Sequence, residues 1–94
     1  MAFAYCKLKL KIDRCESLKE KRTILAALLT RLKKYNLSVI ENANQDNHHQ
    51  IELEMSMIRS TQALLDHDLQ LISDLIERDF PNLDLFSFEK EIYL

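Results

Sequence analysis

Cysteine, histidine and paired carboxylates are the residues here with covalent or acid–base chemistry to offer, and spacing decides how much of it is usable. A thiolate nucleophile needs a base within hydrogen-bond reach, and the chain offers Cys6 and Cys15 against His48, His49 and His67. Cys6 falls on the apolar side of an alternating segment and Cys15 in the loop beyond it. That loop is expected at the opposite end of the molecule from His48 and His49, so no Cys/His couple is expected. A metal site needs several donors converging on one point. His48 and His49 stand beside Asp46, but adjacent side chains in an extended loop point apart, and His67 belongs to another element. Neither a metal nor a cofactor is expected. Glu52 with Glu54, and Glu89 with Glu91, each share a strand face but look outward onto lysines, so they read as structural. The chain has no glycine, which removes every Gly-rich phosphate loop from consideration. No residue is assigned a catalytic role, and the chain is read as a non-enzyme.

What remains is cationic. Lys19, Lys21, Arg22, Arg31, Lys33 and Lys34 share one segment with a single anion, Glu20. On a helix turning about 100° per residue, Lys19, Arg22 and Lys33 fall on one flank, with Arg31 and Lys34 farther round. A solvated face explains most charged helices. Here the excess is larger than solubility requires, and lysines at a helix N-terminus oppose its dipole. A local cost of that kind points to an anionic ligand, and the six cations are the candidate nucleic-acid-binding residues, directed at RNA phosphates. Lys21 differs from the rest, because its angle places it inside the apolar stripe near Leu18 and Leu25. It either snorkels past the sheet edge or meets a carboxylate, from the loop around Asp46 or from the sheet end.

The elements that must position these cations follow from periodicity. Residues 4–13 alternate, with Ala4, Cys6, Leu8, Leu10 and Ile12 on one side and Tyr5, Lys7, Lys9, Lys11 and Asp13 on the other, which is a half-buried strand. Ser17 and Glu20 form a capping box, each side chain able to bond the other's free N–H. The helix they open is expected to reach about Tyr35, with Leu18, Leu25, Leu28, Leu29 and Leu32 as its stripe. Asn36 closes it in place of a glycine, since Asn tolerates the left-handed conformation. Residues 37–41 form a second strand, the polar stretch 42–50 a hairpin loop, and Ile51, Leu53, Met55 and Met57 a third alternating strand. Ser60 or Thr61 caps a second helix to about Arg78, with Leu65, Leu69, Ile72 and Ile76 inward. Pro81-Asn82 turns the chain into a last strand, residues 85–94, with Phe86, Phe88 and Ile92 on one face and Glu89, Glu91 and Tyr93 on the other.

The order βαββαβ makes two crossovers joined by a hairpin, an α+β fold with a four-stranded antiparallel sheet and both helices on one face, the ferredoxin-like sandwich. Its open face would carry Tyr5, Lys7, Lys9 and Lys11 down the middle, flanked by Glu52 and Glu54 on one side and Glu89 and Glu91 on the other. That lattice cancels the field an RNA backbone would feel, and Tyr5 alone is a poor match for an RNA-stacking sheet.

At 94 residues the chain is long enough for one domain, with 47% hydrophobic and 30% charged residues and no linker or repeat. No apolar run approaches the ~20 residues that span a bilayer, and the N-terminus lacks the apolar core of a signal peptide. With both cysteines read as free thiols, a soluble, cytoplasmic protein is expected. The net charge of −2 conceals a division. Residues 1–35 carry ten Lys/Arg against three Asp/Glu, or +7, and residues 36–94 carry three against twelve, or −9. A polarised domain of this kind can steer a polyanion or pair with itself.

The hexapeptide Ser17-Leu18-Lys19-Glu20-Lys21-Arg22 after an alternating strand, the turn Asn36-Leu37-Ser38-Val39 and Gln45-Asp46 in the hairpin together resemble the YlxP-like proteins, domain-of-unknown-function family 503. The resemblance spans essentially the whole chain. It implies a ferredoxin-like fold and no established catalytic activity. Proteins similar to this one are often encoded near genes of ribosome maturation and translation initiation, which implies ribosomal RNA or a ribosome-assembly intermediate as partner. The sequence departs from the family at two points: His48 stands where the hairpin usually carries Trp, and Glu54 where the third strand usually carries Gly. The expected function is a non-catalytic RNA- or ribosome-associated module that binds phosphate through its first helix. The alternative is a homodimeric structural or interaction protein without a nucleic-acid ligand, pairing that helix with Asp66, Asp68, Asp74 and Glu77 of a neighbour.

Overall fold

The computed structural model describes residues 1–42 and 49–94. Along the chain run β1 (Ala2–Ile12), α1 (Leu18–Lys33), β2 (Ser38–Glu41), β3 (Gln50–Arg59), α2 (Gln62–Asp79) and β4 (Leu83–Tyr93). The strands form one sheet in the order β2-β3-β1-β4, with every neighbouring pair antiparallel. This is the βαββαβ ferredoxin-like sandwich that the periodicities imply.

Period-two alternation sends Ala2, Ala4, Cys6, Leu8, Leu10 and Ile12 of β1 and Ile51, Leu53, Met55 and Met57 of β3 to one side of the sheet. There they pack in one core with Leu25, Leu28 and Leu32 of α1 and Leu65, Leu69, Ile72, Leu75 and Ile76 of α2. Burying a side chain of this size contributes about 1.5–3 kcal/mol, so the pattern fixes register as well as fold: a one-residue slip would turn each set into water. Both cysteines are buried free thiols, and burial pushes the Cys6 thiol up to about 11.

The helix ends follow the sequence closely. The Ser17 hydroxyl accepts from the Glu20 N–H at 3.2 Å, while the Glu20 carboxylate accepts from the Glu16 N–H at 2.7 Å, one residue upstream of the Ser17 N–H that a strict capping box would use. Asn36 takes the left-handed conformation with φ 56°. Arg14 does so too, with φ 59°, which lets the chain leave β1 without a glycine. Thr61, rather than Ser60, caps α2, its hydroxyl accepting from the Leu64 N–H.

Two expectations are corrected. The loop after β1 and the β2–β3 hairpin lie at the same end of the sheet, not at opposite ends: the Ile12 N–H donates to the His49 carbonyl at 2.9 Å. The reason is topological, since β1 and β2 both run antiparallel to β3 and therefore finish together. Phe86 also departs from the expected face. The β1–β4 register shifts between Lys9 and Leu10, so Lys9 pairs with Ser87 but Leu10 with Leu85. This bulge leaves Phe86 unpaired and turns it to the open face, where the Lys11 ammonium lies 5.2 Å from its ring centroid; an extra residue in one strand re-aims the side chain it carries.

Candidate nucleic-acid interface

The six cations of α1 fall into three environments. Lys21 is turned inward by the helical angle that places it beside Leu25 and Leu28, and it is 1% exposed. Its ammonium stands 3.4 Å from a carboxylate oxygen of Glu41, the last residue of β2. The sheet end therefore supplies the carboxylate, and Asp46 lies outside the described residues. An inward lysine does not join a surface that reads phosphate. Arg31 occupies the side of α1 toward α2, where it donates to Asp79 at 2.5 Å. Together with Arg78, this pairing holds the Asp79 carboxyl down at about 2. Lys19, Arg22, Lys33 and Lys34 are exposed and take part in no ion pair among the described residues.

Of these four, Lys19, Arg22 and Lys33 share the flank turned away from Arg31, as their angles require. Ala26 sits among them, and its short side chain leaves a shallow recess lined by Leu18, Lys19, Arg22, Thr23 and Ala26. The Thr23 hydroxyl donates to the Lys19 carbonyl one turn back at 3.1 Å. The recess thus presents ammonium and guanidinium donors over an apolar floor. That chemistry suits binding an oxyanion. Among the described residues no three or more His, Cys, Asp or Glu side chains gather as metal ligands.

The far end of α1 is held by a residue that periodicity did not single out. Arg59, at the end of β3, donates to the carbonyls of Tyr35 at 2.5 Å and Asn36 at 3.2 Å, and to the Asp68 carboxylate at 2.5 Å. It thereby joins the turn that follows α1 to α2. The signal in the sequence was one of just three cations, Arg59, Arg78 and Lys90, in an acidic half.

The open face of the sheet carries the expected lattice, with Lys7 between Glu54 and Glu89, and Lys9 between Glu52 and Ser87. Tyr5 donates to Glu54, and that bond pushes the phenol up to about 12. Tyr5 is not alone, however. Phe3 lies one step along β1, stacked on Tyr93 with ring centroids 5.6 Å apart, and Ile58 pairs directly with Phe3. The face is thus divided into an apolar, aromatic end and a charged end. The pieces Gln45-Asp46 and His48 lie outside the described residues.

Solved structures with this architecture share little sequence with the chain. A de novo designed protein described as having a ferredoxin fold superposes with a TM-score of 0.59 at 14% identity, covering 100% of this chain and 87% of that one. The crystal structure of protein SO0527 from Shewanella oneidensis gives a TM-score of 0.53 at 15% identity, covering 96% of this chain and 88% of that one. At such identities the likeness is one of fold alone. No curated protein matches the chain. No helix among the described residues is long and apolar enough to cross a membrane. The model of a protein family of unknown function, DUF503, matches residues 3–90, nearly the entire length, and the chain belongs to that family.

Proposed function

We propose that this protein is a non-catalytic module that docks on the phosphate backbone of RNA through the outer flank of α1. The observation that carries the reading is the sorting of cations within one helix. Lys21 and Arg31 have internal carboxylate partners, whereas Lys19, Arg22 and Lys33 have no ion pair among the described residues, and Lys19 and Arg22 line the recess at Ala26. A lysine in the first helical turn that opposes the dipole and gains no internal partner contributes nothing to folding. Its placement is accounted for by an external anion. The family resemblance directs the choice among polyanions toward ribosomal RNA or a ribosome-assembly intermediate.

Recognition of this kind has no base-reading groups and so little sequence preference. Three phosphate contacts give a slope of about −2 when log K is plotted against log salt. The test is a filter-binding titration of ribosomal RNA fragments against the wild-type chain and the triple variant Lys19→Glu, Arg22→Glu, Lys33→Glu. Salt-sensitive binding by the wild type that is lost in the folded triple variant supports the reading. Equal binding by both overturns it.

A further inference from the structure

The open face of the sheet has a second property, independent of RNA. Its charges are arranged in columns: Lys7, Lys9 and Lys11 on central β1, with Glu54 and Glu52 beside Lys7 and Lys9 on β3, and Glu89 beside Lys7 on β4. Lys7 and Lys9 enter no ion pair among the described residues, and Glu54 accepts from Tyr5 instead. At the start of β1 the face is apolar, with Phe3 and Tyr93 stacked and Ile58 59% exposed. Among the described residues nothing covers that end; both helices lie on the other side of the sheet.

We infer that this face pairs with the same face of a second copy, about a twofold axis that lies between the two sheets, parallel to the strands and midway between β1 and β3. The observed register fixes what such an axis brings together. It exchanges β1 with β3 while keeping position along the strands. Each residue of β1 therefore faces, in the second copy, its own cross-strand partner on β3. Lys7 then faces Glu54 of the second copy, Lys9 faces Glu52, Phe3 faces Ile58, Tyr5 faces Ser56 and Lys11 faces Gln50. No lysine meets a lysine, and the apolar end meets the apolar end. A central basic column bordered by an acidic one is complementary to its own image under this operation, which is the requirement for an isologous interface.

The dimensions are adequate. Three strands of ten or eleven residues and the four-residue β2, about 4.8 Å apart and rising about 3.3 Å per residue, present roughly 550 Å² in projection. That is near the ~800 Å² of accessible surface per partner in stable interfaces, because side-chain relief adds to a projected area. Sheets packed face to face keep their strands within about 30°, so the pairing of columns survives the sheet twist. A foreign partner would need an acidic column and an apolar end in the same spacing; the second copy has them by construction. The helices stay outside, and both α1 flanks remain free.

The test is sedimentation equilibrium of the full chain with four variants, each checked for fold by circular dichroism. The wild type is expected to sediment at twice the chain mass. Ile58→Asp, at an exposed position, should raise the dimer Kd by about tenfold or more. Lys7→Glu should weaken the dimer by placing like charges opposite, and adding Glu54→Lys to Lys7→Glu should restore it. Lys19→Glu should leave it unchanged. A wild type that stays monomeric at every concentration overturns the inference. So does a dimer that ignores Ile58→Asp but dissociates in salt, the mark of α1 pairing with the acidic α2 of a neighbour. Neither result bears on RNA binding by the α1 flank, so the two proposals fail separately.

Discussion

The inner and outer sides of α1 carry the same kinds of residue in opposite circumstances. Lys21 is 1% exposed and faces Glu41 across 3.4 Å. Lys19, two positions earlier and about 200° around the axis, is exposed and has no ion pair among the described residues. An inward ammonium loses several kcal/mol of hydration, and its counter-charge must be built into the fold. An outward one keeps its water, so its counter-charge can arrive from another molecule. The difference teaches how to sort charges in a small domain: those with an internal partner hold the fold together, and those without one are available for recognition.

Removing the internal counter-charge should break the comparison most sharply. Glu41→Ala removes the carboxylate that buried Lys21 faces and should lower stability by about 3 kcal/mol, a large share of the 5–15 kcal/mol typical of a domain. Urea unfolding followed by circular dichroism measures it. Lys21→Met should cost less, about 2 kcal/mol, because Met fills much of the space and the Glu41 side chain is 21% exposed, although its Oε2 is buried. An equal cost for the two variants would mean that geometry matters here and charge does not.

Arg59 supplies the next test, at the other end of α1. Arg59→Ala removes the charge-assisted bonds to Tyr35, Asn36 and Asp68 together and should lower stability by about 2 kcal/mol. Amide hydrogen exchange should show the loss concentrated in the last turn of α1. On the outer flank, Lys19→Ala, Arg22→Ala and Lys33→Ala should each change stability by no more than about 0.5 kcal/mol in the same urea titrations. A loss of about 2 kcal/mol at any of them would move that residue to the folding side of the comparison.

What the sequence made legible depended on whether the information was local. The alternation of β1, the Ser17 cap and the left-handed Asn36 each involve a few neighbouring residues, and each appears in the structure. The angle of Lys21 was legible for the same reason, and it limited the lysine's partners to the hairpin or the sheet end. Which of these it meets depends on how far β2 runs, and Glu41 decides that at a distance of twenty residues along the chain. The Phe86 flip was hidden because a bulge belongs to a pair of strands: the shift opposite Lys9 and Leu10 leaves no mark in β4 alone. The aromatic end of the open face was missed for a related reason. Phe3, Ile58 and Tyr93 lie at three separate places in the chain, and only the register brings them together. The outer flank of α1 was legible as a cluster of charge, and the anion proposed for it would come from another molecule.

Arg31 stands between the two classes, and its test has the smallest expected effect. Its side chain is 39% exposed, yet it donates to Asp79 at the end of α2. Bonds from Arg78 and Arg31 lower the folded pKa of Asp79 from 3.8 to about 2. A carboxyl whose folded pKa is depressed binds protons more readily in the unfolded chain. Its contribution is therefore complete above pH 3.8 and disappears as pH falls toward 2. Thermal melting across that window should show a stability decline in the wild type that is shallower in Asp79→Asn, while the two coincide in slope near neutrality. Arg31→Ala should lie between them, because Arg78 still holds the carboxylate at 2.9 Å. Superimposable slopes for all three would place Arg31 with the outer cations and add it to the surface open to phosphate. Separated slopes keep it with Lys21, as a cation whose partner the fold already provides.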